Sequence, residues 1–282
     1  MIMFRKQQQI VNLILNNVFW EINFDLFPFF CIMIVGDNMK PVIGVVLKYQ
    51  CLSDGRAISY MSEKVRRTIQ RAGGDVFSIV PVHDVDYFYT KGNEFPELTD
   101  DNKRYIDEAL NSCDGVLFPG GVKFTPFDRY LLEQVIEKKI PVLGICLGMQ
   151  LMSCYRDDVS LKKIESDFNH NQELDEGFSH KVKIKSSSRL YDILGEEEIS
   201  VNSFHKYQIS ENKYYNISAF SEDGVIEAIE FCSDMFNLGI QWHPEISYDV
   251  DIYSKKIIDS FIDAAIEKKC NNFLKEESKI SN

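Results

Sequence analysis

The chain has 282 residues, of which 45% are hydrophobic and 26% are charged, and this is enough for one sizeable α/β core. Its formal net charge of −12, from 31 basic and 43 acidic residues, would repel a phosphate backbone, so nucleic acid is not an expected partner. The 7 cysteines form no CxxC pair, which argues against a disulfide framework or a zinc site and favours a reducing compartment, with the cytoplasm as the expected location.

Residues 1–38 differ from the rest of the sequence and are predicted to form an N-terminal extension outside the domain. Their apolar run at 26–36 is interrupted by Pro28 and is too short to cross a membrane as a helix, so no membrane is expected as a partner. A signal peptide is not indicated, because no small-residue cleavage site follows this run. Met39 then leads into a buried strand, and we interpret the extension as the product of an upstream start codon.

Between residues 41 and 146, short apolar segments alternate with helical patterns. The β-branched run PVIGVVL at 41–47 is typical of a strand buried on both faces of a parallel sheet. Further strands are predicted at 75–82, 114–121 and 140–146, and helices at 60–74, 98–113 and about 128–139. This alternation predicts a doubly wound, mostly parallel sheet with helices on both of its faces.

The second half of the chain contains short strand patterns with few helices between them, which predicts an antiparallel extension of the sheet. These strands are predicted at 180–185, 198–203, 214–221, 225–231 and 236–242. A last helix, at about 247–269, has a broad apolar face and is followed by a segment that is predicted to be frayed. We therefore predict one domain over 39–269 and a C-terminal tail over 270–282.

The segment PVLGICLGMQLM places Cys146 between two glycines, at the end of a strand and the start of an apolar helix. Such a Gly-x-Cys-x-Gly turn is typical of a nucleophile elbow, which directs its side chain into the crevice above the sheet. The start of the helix favours thiolate over thiol. A single cysteine is more often a buried packing residue than a nucleophile. Whether Cys146 is a nucleophile therefore depends on whether other segments supply a base and oxyanion donors.

Two other segments supply the groups that a cysteine nucleophile needs. The amide of Leu147, directly after the cysteine, and that of Gly121, in the PGG segment, are candidate donors to an oxyanion. His243, in GIQWHPE, follows a strand and reaches the same sheet edge, while Glu245 can orient its imidazole. Cys146, His243 and Glu245 are therefore a predicted catalytic triad.

The remaining polar and aromatic candidates are interpreted more simply. His170 and His180 lie in the polar stretch NHNQELDEGFSH and are predicted to be solvated rather than catalytic or metal-binding, so no metal site is predicted. The aromatic residues at 87–89 fit either a substrate mouth or a cover over the edge of the core. The other cysteines are predicted to be packing residues.

At these motifs the sequence resembles the class I glutamine amidotransferase superfamily, through FPGG, GICLGMQ and QWHPE in this order. Within the superfamily it is most similar to the γ-glutamyl-γ-aminobutyrate hydrolase family, a cysteine peptidase family of the C26 type. The segments KPVIGVV, RAGG, CDGVLFPGG, VNSFH and DGVIEAIE carry this closer similarity, which covers residues 40–265 approximately. The resemblance implies a flavodoxin-like α/β fold with a doubly wound sheet.

The resemblance also implies hydrolysis of a γ-glutamyl amide bond through a cysteine thioester, with no cofactor, to release glutamate and an amine. Gln150 would help to hold the glutamyl group, Gly120 would border the substrate, and Ser203 and His205 would lie near the glutamate-binding end of the pocket. The sequence departs from the family pattern at Leu147, where arginine is common, in the HK pair at 205–206, and in CYRDDVSLKK. These departures leave the identity of the leaving amine open.

Three functions stay open at this stage. The first is a hydrolase that acts by itself on a small γ-glutamyl substrate, and the second is a glutaminase subunit that passes ammonia to a separate synthase. The third is a binding or sensor protein without activity, which has little need of a matched nucleophile and base. We predict the first of these, and the sequence leaves open both a homodimer and a synthase partner.

Overall fold

The computed structural model describes residues 40–82, 96–156, 161–166, 168–172 and 177–280. The predictions for residues 1–38 and for the aromatic residues at 87–89 concern parts of the chain that lie outside these ranges. No helix in the described ranges is both long enough and apolar enough to span a membrane.

The described residues form the following strands: β1 (Val42–Val46), β2 (Lys48–Cys51), β3 (Ala57–Tyr60), β4 (Asp75–Ile79), β5 (Gly115–Phe118), β6 (Val142–Ile145), β7 (Lys162–Lys163), β8 (His180–Ile184), β9 (Glu198–Val201), β10 (Tyr207–Gln208), β11 (Asn216–Ser221), β12 (Ile226–Glu230) and β13 (Asn237–Ile240). The helices are α1 (Glu63–Arg71), α2 (Asp100–Asn111), α3 (Pro126–Glu137), α4 (Leu147–Ser153), α5 (Arg189–Leu194), α6 (Pro244–Ser247) and α7 (Ile252–Ile280).

The central sheet has the strand order β4-β1-β5-β6-β13-β12-β11-β8-β9. Its first five strands pair in parallel, in the order that defines flavodoxin-like sheets. The other four strands continue the sheet with antiparallel pairings. The predicted doubly wound sheet with an antiparallel extension is confirmed.

Helices cover both faces of the sheet because each carries an apolar stripe. On one face, α1, α5 and α7 bury side chains such as Ile69, Leu190 and Phe261 in one apolar cluster. On the other face, α2, α3 and α4 bury a second cluster that includes Leu110 and Met152. The sheet is therefore enclosed between two cores, and its carboxyl edge is left to carry polar groups.

The structure differs from the prediction at small elements and at the C-terminal end. The β2–β3 hairpin, the two-residue strands β7 and β10, and helix α5 were not predicted. The last helix, which was predicted to end at about residue 269 and to be followed by a frayed segment, continues to Ile280. Cys270 is 2% exposed and packs into the core, and the following Lys- and Glu-rich turns have high helix propensity.

Candidate active site

Three neighbouring parallel strands end at the candidate site. The strand β5 leads into the PGG segment at 119–121, β6 leads directly into Cys146, and β13 is followed by His243. In an open α/β sheet, the crevice outside the carboxyl ends of the strands is the usual binding place. The topology therefore gathers segments that are far apart in sequence at one edge.

The backbone at Cys146 has the strained conformation of an elbow. Its φ is 52° and its ψ is −103°, a region that costs a residue with a side chain about 1–3 kcal/mol. The amide of Cys146 donates to the carbonyl of Ile240 at 2.7 Å, and its carbonyl accepts from the amide of Gln150 at 3.1 Å. The neighbouring strand and the following helix thus hold the nucleophile candidate in place.

The two glycines of the elbow are required by close backbone packing. A Cβ atom at Gly148 would lie 2.1 Å from the carbonyl oxygen of Phe118 in β5. A Cβ atom at Gly144 would lie 2.7 Å from the carbonyl carbon of Gly148. The helix α4 therefore leaves the sheet with its backbone directly against β5 and β6, and this sets the sharp turn at Cys146.

The imidazole of His243 lies between the nucleophile candidate and a carboxylate. Its Nδ1 atom is 2.8 Å from Oε1 of Glu245. A Cβ atom built at Gly120 would lie 2.9 Å from Cε1 of His243 and 3.6 Å from Cβ of Cys146, so both side chains flank this glycine. Burial alone would lower the pKa of His243, but the charge of Glu245 and the interaction with Cys146 raise it well above its usual range.

The side chain of Asn202 holds the backbone of His243 in place. No sequence motif had indicated this role. The Oδ1 atom of Asn202 accepts from the amide of His243 at 2.8 Å, and its Nδ2 atom donates to the carbonyl of the same residue at 2.9 Å. Nδ2 also lies 2.9 Å from the hydroxyl of Ser247 in α6. A buried side chain amide that bonds both backbone groups of one residue acts as a positioning residue for its imidazole.

We expect Asn202→Ala to lower the free energy of unfolding by about 2 kcal/mol, because the buried amide of His243 loses its partner and the carbonyl of His243 keeps only the amide of Ile246 as a donor. We also expect kcat to fall by about 10- to 100-fold with a smaller change in KM, since the imidazole loses its fixed position. Urea unfolding and steady-state kinetics measure both effects. Asn212→Ala is the matched control, since Asn212 bonds the carbonyl of Ser153 and has no link to His243; equal losses of kcat in both variants would contradict the positioning role.

The two predicted oxyanion donors adjoin each other. A Cβ atom at Gly121 would lie 3.1 Å from Cδ2 of Leu147 and 3.2 Å from Cγ of Lys48. Lys48 itself forms a buried ion pair with Asp128 at 2.9 Å, and Asp128 also accepts from the amide of Thr125 at 2.7 Å. This pair, which no sequence motif indicates, joins the start of α3 to the first residue of β2 beside the PGG segment.

The residues that the resemblance assigned to substrate binding are held by other protein groups. Nε2 of Gln150 lies 3.2 Å from Oε1 of Gln241 and 3.3 Å from the carbonyl of Tyr207. The hydroxyl of Ser203 donates to the carbonyl of His170 at 2.9 Å. His205 faces the buried carboxylate of Glu227. The role of these three side chains toward substrate stays a prediction.

The prediction that His170 and His180 are solvated is wrong. They are 3% and 8% exposed, because Glu227, which is 0% exposed on the distant strand β12, draws them inward. Burial alone would raise the pKa of Glu227, but the imidazoles of His170, His180 and His205 lower it well below its usual range. We call these four residues the histidine cluster; the local polar sequence contains no sign of their carboxylate partner.

The fold and the site together define a class of protein. The flavodoxin-like sheet, the strained cysteine elbow and the adjacent histidine and glutamate are an arrangement suited to nucleophilic attack on an acyl group. The fold is that of class I glutamine amidotransferases, as its similarity to solved structures of this class demonstrates. The fold that the sequence resemblance implied is confirmed.

The amino-acid sequence is also similar to one family model and to individual glutamine amidotransferase-like proteins. Residues 126–245, from the start of α3 to Glu245, match the family model Peptidase C26. A glutamine amidotransferase-like protein of Lactococcus lactis, YvdE, is 27% identical in a match that covers 64% of this chain and 87% of that protein. CTP synthase of Staphylococcus aureus is 26% identical in a match that covers 82% of this chain but only 46% of that protein.

Among solved structures, the glutaminase domain of Trypanosoma brucei CTPS with bound acivicin superposes with a TM-score of 0.53 at 18% identity. The match covers 81% of this chain and 94% of that chain. At this level of identity the similarity concerns the fold.

Proposed function

We propose that this protein hydrolyses the γ-glutamyl amide bond of a small γ-glutamyl compound and releases glutamate and an amine. The observation that carries the proposal is the strained elbow of Cys146 next to a histidine whose other nitrogen bonds Glu245 at 2.8 Å. The name Peptidase C26 and the glutaminase domain among the structural neighbours both refer to the cleavage of amide bonds, which supports this reaction class.

In the first half of the reaction, the sulfur of Cys146 forms a bond to the γ-carbonyl carbon of the substrate. The amides of Gly121 and Leu147 donate to the resulting oxyanion. The C–N bond then breaks, and His243 gives a proton to the leaving amine. The raised pKa of His243 keeps the imidazolium available for this step.

In the second half, His243 takes a proton from a water molecule that attacks the thioester carbonyl. The C–S bond breaks, glutamate leaves, and the sulfur returns to its starting state. Glu245 orients the imidazole throughout, and Asn202 holds its backbone. No step requires a cofactor.

A second candidate function is a glutaminase subunit that delivers ammonia to a separate synthase. The similarity over 82% of this chain to less than half of a CTP synthase supports it, because such a match fits one functional part of a larger synthase. The two candidates share the cysteine chemistry and differ in the leaving group and in the need for a partner.

Product analysis of the purified protein by mass spectrometry distinguishes the two functions. The panel contains glutamine, γ-glutamyl-γ-aminobutyrate, γ-glutamyl polyamines and γ-glutamyl dipeptides. Release of glutamate with one favoured amine, by the protein alone, supports the hydrolase. No turnover on the panel, together with labelling of Cys146 by acivicin, supports the subunit instead; no turnover and no labelling would contradict both functions.

The pH dependence of activity and stability tests the pair of His243 and Glu245. Because its pKa in the folded protein is raised, the imidazolium stabilises the fold fully below about pH 6.5 and this contribution is lost as pH rises through the raised value. Glu245→Gln keeps the hydrogen bond but removes the charge, so we expect the alkaline limb of kcat/KM to move to lower pH. The difference in the free energy of unfolding between Glu245→Gln and the wild type should be largest below about pH 6.5 and should decline as pH rises through the raised pKa of His243.

The matched control is Glu197→Gln, which removes the same charge from an exposed glutamate. Steady-state kinetics, urea unfolding and NMR titration of the histidines over a pH series give the three readouts. An alkaline limb that stays in place in Glu245→Gln would contradict the assigned pair.

A further inference from the structure

The histidine cluster brings four buried side chains around one point on the antiparallel side of the sheet. Nε2 of His180, Nδ1 of His170 and Nε2 of His205 lie 3.2, 3.4 and 3.6 Å from Oε1 of Glu227. All four residues are less than 9% exposed. Three imidazole nitrogens and a carboxylate are thus aimed at one small buried volume.

His170 and His205 each have one ring nitrogen that contacts a group other than Glu227. These contacts determine which ring nitrogen carries the hydrogen and which one faces Glu227 without it. Nε2 of His170 lies 3.0 Å from Oδ2 of Asp223, and Nδ1 of His205 lies 3.2 Å from the carbonyl of Tyr207. Because these partners can only accept, the N–H groups of both rings point outward in their neutral forms. The inward atoms, Nδ1 of His170 and Nε2 of His205, then present lone pairs to a carboxylate.

Lone pairs that face a carboxylate at this distance repel each other unless a cation lies between them. Within the described residues, Nδ1 of His170, Nε2 of His205 and Oε2 of Glu227 are buried and have no hydrogen-bond partner. Unpaired buried polar atoms are costly, and two imidazole nitrogens that converge on one carboxylate favour a positive charge between them.

We propose that the histidine cluster binds one divalent transition-metal ion, with Zn²⁺ as the best match, through His170, His180 and Glu227. Ligand bonds of about 2.0–2.1 Å in a tetrahedral site place ligand atoms about 3.4 Å apart. The separations of 3.2 and 3.4 Å from Glu227 to the two histidine nitrogens fit this value. The ligand atoms of these three residues all lie within 4.8 Å of one another. Nε2 of His205 lies 3.6 Å from the same carboxylate oxygen, and in the proposed site a small shift of this side chain would supply the fourth ligand.

The contacts around the cluster match those of protein zinc sites. Histidine ligands usually donate their second N–H to a carboxylate or a backbone carbonyl, as His170 does to Asp223 and His205 does to Tyr207. Imidazole and carboxylate ligands suit Zn²⁺ among the divalent ions. Because the cluster is buried and offers four protein ligands, the ion has a structural rather than a catalytic role.

The proposed ion lies directly behind a wall of the active site. The amide of His205 donates to the carbonyl of His170 at 2.7 Å, and the carbonyl of the preceding Phe204 lies 3.9 Å from the sulfur of Cys146. An ion at the cluster therefore joins this segment to β8 and β12. It would hold the wall in position relative to the nucleophile.

The test uses the full chain, stripped of metal and equilibrated with Zn²⁺ or with Co²⁺. Metal analysis should give one ion per chain, and Co²⁺ should give the visible absorption of a tetrahedral site. Both are measured in the wild type and in Cys146→Ala, because Cys146 and His243 offer an alternative place for zinc. Binding that is retained in Cys146→Ala supports the cluster as the site, whereas binding that is lost there overturns the proposal.

Variants of the cluster sharpen the test. Glu227→Gln and His180→Gln should weaken Zn²⁺ binding at least tenfold, and Asp223→Asn by about 10- to 100-fold through its effect on His170. Lys183→Gln, at an exposed position on the same strand as His180, is the control and should bind as the wild type does. Unchanged affinity in Glu227→Gln would overturn the proposal.

One measurement does not depend on whether these variants fold. In ¹⁵N-histidine-labelled Cys146→Ala, stoichiometric Zn²⁺ should shift the resonances of His170, His180 and His205 and leave that of His243 in place. If the cluster is occupied by protons alone, no stoichiometric zinc binds and the three resonances stay unchanged. That result would overturn the proposal.

Discussion

Replacing Cys146 with alanine is expected to lower kcat/KM toward the favoured γ-glutamyl amide by about 10⁴-fold or more. The variant loses the atom that forms the thioester, and neither the histidine nor the oxyanion donors can replace it. The free energy of unfolding should change by only about 1 kcal/mol, because alanine is as strained as cysteine at φ 52° and the substitution removes a single heavy atom. Kinetics and urea unfolding measure the two effects separately.

Cys154→Ala is the matched control for this change. Cys154 is 3% exposed, directly after the last residue of the same short helix, and is therefore a buried cysteine away from the elbow. We expect it to retain activity and to lose about 1 kcal/mol of stability through the cavity it leaves. Substantial activity in Cys146→Ala, with a preparation free of other amidases, would rule out the proposed nucleophile.

Gly148→Ala is expected to destabilise the protein by about 3 kcal/mol or more and to remove most of its activity. The new Cβ would lie 2.1 Å from a backbone carbonyl oxygen of β5, and neither backbone can move without shifting the elbow. Helix propensity alone predicts the opposite sign, since alanine is favoured over glycine in a helix by about 1 kcal/mol. The direction of the stability change therefore separates the packing argument from the propensity argument.

The control for this variant lies on the strand that Gly148 touches. At Gly115 in β5, an added Cβ would meet only side chains, at 3.1 Å from Cβ of Ala265 and 3.2 Å from Cδ1 of Ile43. These atoms can yield by a few tenths of an ångström, so we expect Gly115→Ala to cost less than about 1 kcal/mol. A stable and active Gly148→Ala protein would contradict the close packing described for the elbow.

The parallel half of the fold could be predicted because its signals are local. Runs such as PVIGVV and PVLGI are apolar over their whole length, as expected for strands buried on both faces, and the intervening helices carry regular stripes. The β2–β3 hairpin escaped prediction because neither KYQC in β2 nor AISY in β3 is a continuous apolar run, and the residues of β3 are exposed or half-buried. The two-residue strands β7 and β10 are too short to show any periodicity.

For the site, the sequence pointed to residues whose chemistry is visible in a short motif. Gly-x-Cys-x-Gly and His-x-Glu each combine a functional group with its own local geometry. Asn202 and Glu227 carry no such mark, because their importance comes from partners on other strands. A carboxylate in the strand IEAIE gives no indication from sequence that three distant histidines surround it, and this is why His170 and His180 were interpreted as solvated.

The position of β13 has a consequence for how the chain folds during synthesis. Its residues leave the ribosome late, yet Leu238 pairs with Leu143 in the middle of the sheet. Such non-local pairings form slowly. Until β13 inserts, β6 remains an unpaired edge that ends in Cys146 but has no histidine beside it. The nascent chain therefore carries an unassisted thiol, and nucleophile and base come together only when the central sheet closes.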